Sequence, residues 1–156
     1  MEKTNSNIPT PEELKAYIDE SVISVTGTYE QSASVLMVDD SVIGTLGNFS
    51  ASIRKAKSKK TFNVSAITAA ALINGTVLHY RACFPENKRK ILYIDTEQGK
   101  NHCQIVLNRI LRLAGLPNDS NTDNLMMLAL RKYSPEVRLA ITEQAIGMIP
   151  DLGLVI

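Results

Sequence analysis

The stretch Ile91-Leu92-Tyr93-Ile94-Asp95-Thr96-Glu97, followed by Cys103, Val106, Leu107, Ile110, Leu111 and Ala114, decides the fold. Four consecutive apolar residues read as a short strand buried on both faces, as in a parallel sheet, and the strand ends in an acidic loop. The apolar positions that follow fall at i, i+3, i+4, i+7, i+8 and i+11, the stripe of an amphipathic helix, which Gly115 and Pro117 close.

Outward toward the C-terminus, the polar linker 118–124 leads to a second apolar run, 125–130, which reads as another buried strand. Ser134-Pro135-Glu136 then opens a helix in which Val137, Ala140, Ile141, Ala145 and Met148 share a face, ending at Pro150. Leu152-Gly153-Leu154-Val155-Ile156 is apolar and strand-like. In the other direction, Phe84-Pro85-Glu86-Asn87 breaks a connecting stretch, and 62–73 is apolar nearly all round, the composition of a helix buried on several sides. Asn74-Gly75 ends or kinks that helix. Before it comes the basic loop 54–61, and before that 47–53, whose alternation predicts a strand. Val35-Leu36-Met37-Val38 and Val42-Ile43, separated by Asp39-Asp40-Ser41, read as a β-ribbon. Thr10-Pro11-Glu12-Glu13 supplies an N-cap, a first-position proline and first-turn acids for a short helix over 11–20.

Strands alternating with helices from Ile53 onward predict an α/β fold: a three-layer sandwich with a mainly parallel sheet, joined by right-handed crossovers and covered by helices on both faces. The expected division is 1–34 as a polar segment with one helix and 35–156 as the α/β domain. A chain of 156 residues with 17 Lys+Arg, 16 Asp+Glu and 44% apolar residues is an ordinary globular composition with a net charge of +1. Disorder, collagen and coiled coil are excluded. No apolar run reaches the roughly 18–20 residues of a membrane span, and the start MEKTNSNIPT is polar, so the expected location is cytoplasmic with no membrane partner. Cys83 and Cys103 lie far apart with no metal-type spacing and read as packed thiols.

Ligands of such sheets bind beyond the carboxyl ends of the strands, which directs attention to the loops after Ile53 and Ile94. Lys60-Thr61 stands at a strand-to-helix junction, where free N–H groups and the positive helix end favour phosphate. Aligned to G-x-x-x-x-G-K-[ST], the loop reads Arg54, Lys55-Ala56-Lys57-Ser58, Lys59, Lys60, Thr61, so both glycine positions are substituted. The competing reading is a solvated basic loop or a patch for nucleic-acid phosphates. In the second loop, Glu97 is a candidate to polarise a water and Asp95 lies two residues before it; the competing reading is that these acids cap the next helix or lie in solvent. His79 has no metal-spaced partner, and His102 reads as a surface residue. Arg131-Lys132 sits on the ligand edge as a candidate nucleic-acid contact, the competing reading being a solvated loop; aromatics interleaved with basic residues are absent, and the near-zero net charge argues against a broad nucleic-acid face.

The run GNFSASIRKAKSKKTFNVSAITAAAL (residues 47–72) and, further on, ILYIDTEQGK (91–100) resemble the RecA-like P-loop ATPases, specifically the replicative-helicase-like ATPases of plasmids and mobilisable transposons. The resemblance covers about Val35 to the end. It implies ATP and Mg²⁺ as ligands, with Lys60 on the β- and γ-phosphates, Thr61 on Mg²⁺ and the backbone of 54–59 around the phosphates. It makes Glu97 the catalytic base, and it implies action on DNA by a homo-oligomeric ring whose arginine finger comes from a neighbouring subunit. Leu152–Ile156 resembles a Walker B strand, with the metal-holding acid expected just beyond it, so the resemblance implies the N-terminal part of a longer ATPase. A non-hydrolysing module that holds DNA or a protein through the basic loop is the alternative. A small-molecule kinase would need an acceptor lid, for which no candidate is seen.

Overall fold

The computed structural model describes residues 8–52 and 60–156, and the chain divides into two units, Met1–Gln31 and Ser32–Ile156. In the first, α1 (Pro11–Ser21) starts at Thr10 with a capping box: Thr10 Oγ1 accepts from the Glu13 amide and the Glu13 carboxylate accepts from the Thr10 amide. No residue of α1 is buried.

The second unit contains two sheets. In the antiparallel one, β1 (Ser34–Val38) and β2 (Ser41–Thr45) form the expected ribbon, and a hairpin of β3 (Thr76–Val77) and β4 (Tyr80–Ala82) adds to it in the order β2-β1-β4-β3. Between these pairs runs α2 (Lys60–Ile73). A single 3-10 turn at Glu86–Lys88 leads into the parallel sheet, formed by β5 (Lys90–Asp95), β6 (Leu125–Ala129) and β7 (Leu152–Val155) in the order β6-β5-β7. The helices α3 (Lys100–Leu113) and α4 (Pro135–Met148) make the two crossovers. The α/β class therefore holds, with helices and a parallel sheet as expected.

The crossovers proceed to opposite sides of β5, so right-handedness sends α3 and α4 to opposite faces of the sheet. Burial along β5 agrees. Ile91 and Tyr93 belong to the main core with Val106, Ile110 and Leu111 of α3, while Leu92, fully buried, lies outside that cluster, as do Leu130 and Ala145 on the α4 side. The same main core includes Ala66, Ala69, Ala70, Ala71 and Leu72, because α2 packs on β4, α3 and β5 at once. Small side chains permit that close, many-sided approach. Asn74 (φ 49) ends α2 in a Schellman motif: its amide donates to Ala71 and the Gly75 amide to Ala70. Gly115 (φ 68) ends α3 in the same way, with bonds from Gly115 to Arg112 and from Leu116 to Leu111.

One expectation needs correction. Residues 48–52 are not a strand: β2 ends at Thr45, a turn closes from the Asn48 amide to Thr45, and Phe49 is exposed, because no described strand offers the segment a partner. The helix-covered sheet is wholly parallel with three strands, and the ribbon belongs to a separate four-stranded antiparallel sheet. On α4, the face shared by Val137 and Met148 is exposed and only Ala145 is buried, because among the described elements the helix rests chiefly on β5.

Candidate functional site

Lys60 and Thr61 are the first two described residues of α2, the exposed lysine preceding a half-buried threonine. The Thr61 carbonyl accepts a bond from Ser65 Oγ at 2.7 Å, so the buried serine is satisfied within the helix. First-turn N–H groups of a helix lack intrahelical acceptors, and Lys60 adds a cation to that positive end. The other proposed phosphate-loop residues, Arg54, Lys55, Ala56, Lys57, Ser58 and Lys59, lie outside the described residues.

At the carboxyl end of β5, Asp95 is buried and its Oδ1 accepts from the amides of Glu97 (2.9 Å) and Gln98 (2.7 Å). The carboxylate thereby turns the chain sharply from strand into α3, whose N-cap, Gly99, has no side chain to do so. The Asp95 carbonyl accepts from the Leu130 amide at 2.7 Å, which joins this turn to the loop after β6. Asp95 is thus a shaping group of the turn before α3, although it does not cap that helix. Glu97 stands beyond it, exposed.

Behind the turn, Tyr93 and Cys103 are buried side by side with Asp95. Burial pushes the Tyr93 phenol above its ordinary value, Asp95 and then Cys103 push the same way, and Arg109 opposes them. The Cys103 thiol is likewise raised, by burial first and by Asp95 second. Both groups are held protonated, so Cys103 is a packed thiol and not an activated nucleophile. Along α3, Ile105, Asn108, Arg109 and Arg112 line a cavity of about 300 Å³.

The remaining sequence candidates disperse. His102 is exposed in the first turn of α3. His79 Nδ1 is 3.1 Å from Asp39 Oδ1, an exposed pair linking two turns of the antiparallel sheet. Among the described residues no group of three His, Cys, Asp or Glu could hold a metal.

Two residues escaped the sequence reading. Tyr133 directly follows Arg131-Lys132, and the Lys132 ammonium lies 4.7 Å from its ring centroid, so a basic residue and an aromatic are adjacent after all. Arg138 turns its guanidinium back onto that loop, with Nε to the Tyr133 carbonyl (2.8 Å) and Nη2 to the Arg131 carbonyl (2.9 Å). The first was visible as an Arg-Lys-Tyr triplet; the second carries no local signal, because an arginine in a helix usually reads as solvated.

No described helix is long and apolar enough to cross a membrane. Compared with known proteins, the chain matches no family model, no curated protein and no solved structure.

Proposed function

We propose that the chain is the nucleotide-binding part of a RecA-like ATPase that uses Mg-ATP in a DNA transaction of a mobile element, as the resemblance of 47–72 and 91–100 implies. The observation that carries the reading is that α2, whose first described residues are Lys60 and Thr61, packs against β5, the strand that ends at the Asp95–Glu97 turn. The opposite end of α2 is clasped through Asn74 to Phe84, on the chain that leads into the start of β5. Such an arrangement favours Lys60 and Thr61 toward the carboxyl edge, where Glu97 stands.

The residues fit the group. An exposed ammonium and a hydroxyl at a helix start suit a triphosphate and its cation, and Asp95 is already engaged by two amides, which leaves Glu97 as the carboxylate of this turn available for chemistry. Bound Mg²⁺ would supply charge neutralisation on the phosphates. Lys60 would neutralise the β- and γ-phosphates, Thr61 Oγ1 would ligate the cation, and Glu97 would orient a water for in-line attack. Substituting Arg54 and Lys59 for the two glycines of the pattern favours a second reading, a module that holds DNA or a protein by charge without turnover.

Calorimetric titration with Mg-ATP separates them. Saturable, Mg-dependent binding, weakened at least tenfold by Lys60→Ala and retained by Glu97→Gln, is the expected result. Affinity unchanged in Lys60→Ala would refute the phosphate role. Mg-independent, steeply salt-sensitive binding of DNA in place of nucleotide would favour the second reading.

A further inference from the structure

We infer that the loop Arg131-Lys132-Tyr133 is a contact surface for single-stranded nucleic acid. It leaves the carboxyl end of β6 and enters α4 at Ser134, whose hydroxyl caps the helix. Its backbone is fixed from three directions. The Tyr133 amide donates to Leu130 at 3.0 Å, and the Arg138 guanidinium spans the carbonyls of Tyr133 and Arg131, one on each side of Lys132. A cation on α4 is thus spent on holding the loop in shape, which lowers the ordering cost of any ligand that Arg131 and Lys132 grip.

Those two side chains are exposed, and among the described residues neither has a carboxylate within ion-pair distance, the one ion pair being His79–Asp39. Lys132 rests over the half-buried Tyr133 ring at 4.7 Å from its centroid. Two uncompensated cations beside a ring suit a strand whose phosphates take the charges and whose base stacks on the aromatic face. An acidic peptide would use the cations and leave the ring without a role, and a duplex keeps its base faces stacked away from it. On binding, the base takes the ring face that Lys132 covers, and the released ammonium moves to a phosphate. The inference stands apart from the nucleotide reading, because neither Lys60 nor Glu97 enters it.

The test is fluorescence anisotropy of a labelled oligothymidylate of about twelve nucleotides with the full chain, free of nucleotide and Mg²⁺. The expected result is binding that the Arg131→Ala/Lys132→Ala variant weakens at least tenfold, with the slope of log affinity against log salt lowered by about 1.4, roughly 0.7 for each cation. Tyr133→Leu should weaken binding at least fivefold at unchanged slope, and Tyr133→Phe should restore it. Melting curves matching the parent's establish that the variants are folded; if Tyr133→Leu does not fold, the charge variant and the salt slope decide alone. Absence of binding by the parent, full affinity in the charge variant, or equal competition by oligoglutamate or by duplex of the same length would each overturn the inference.

Discussion

Asn74 performs the work of two backbone groups. Its amide nitrogen donates to the Phe84 carbonyl at 3.1 Å and its oxygen accepts from the Phe84 amide at 2.6 Å, while its own backbone occupies the left-handed region that ends α2. Phe84 is buried, so removing the clasp strands a donor and an acceptor away from water. Asn74→Ala should cost about 3 kcal/mol in urea unfolding, with left-handed strain contributing to that figure. Asn74→Gly, which relieves the strain without restoring the clasp, should recover only about 1 kcal/mol of it. Recovery of nearly everything by glycine would show that the clasp is worth little. Gly153 is required for a different reason. A Cβ there would overlap the carbonyl oxygen of Lys88, in the turn that lies against β7, and that neighbour is backbone and cannot rotate aside. Gly153→Ala should therefore cost about 3 kcal/mol, read from the shift of the urea midpoint. Neither requirement is legible in sequence, where Asn74-Gly75 signals only a helix end and Gly153 only an interrupted strand.

At the scale of elements, the seam between β5 and α3 is where buried ionisable groups meet. Tyr93 and Cys103 both hold their protons above the ordinary values of 10.0 and 9.0, mainly because burial disfavours the anions. The sign for stability follows from linkage. Above pH 9.0 the unfolded chain releases the Cys103 proton while the folded chain keeps it, and above 10.0 the same holds for Tyr93, so the unfolded state gains and stability falls as pH rises. Well below pH 9.0 both groups are protonated in either state and contribute no slope. Melting temperatures measured from pH 8 to 11 should decline, and the Tyr93→Phe/Cys103→Ala variant should decline less steeply whatever its starting stability. An identical slope in that variant would place the alkaline sensitivity elsewhere. These elements were also the most readable ones. The unbroken run 91–94 and the regular stripe from Cys103 to Ala114 signalled β5 and α3 because burial on both faces and on one face, respectively, leaves those patterns. The hairpin of β3 and β4 left none, since strands of two and three residues are too short to alternate. Alternation at 48–52 misled for the converse reason: a strand needs a partner as well as a pattern, and the described sheets provide none there. Of the candidate site, the acidic turn was found, but the division of labour within it was not. Asp95 and Glu97 are equivalent as letters, and only the two amide bonds to Asp95 distinguish the shaping acid from the exposed one.

For the whole molecule, the question is which part of the chain carries the cooperative fold. Among the described residues, the buried hydrophobic ones run from Val35 to Ala145, all within the unit Ser32–Ile156. The other unit contains α1, an eleven-residue helix with no buried side chain and with Leu14, Tyr17 and Ile18 exposed along one stripe. Isolated helices shorter than about 12–15 residues are marginal in water, so α1 draws on its capping box and first-turn acids, contributions of about 1 kcal/mol each at most. Deleting residues 1–31 should leave the thermal midpoint of the remainder within about 4 °C of the parent, the shift that 1 kcal/mol produces in a domain of this size. Helical ellipticity should fall only by the share that α1 contributes. The decisive comparison is calorimetric: an unchanged transition enthalpy at an unchanged midpoint places the cooperative core wholly in Ser32–Ile156, whereas a broadened or lost transition would show that the N-terminal unit completes that core.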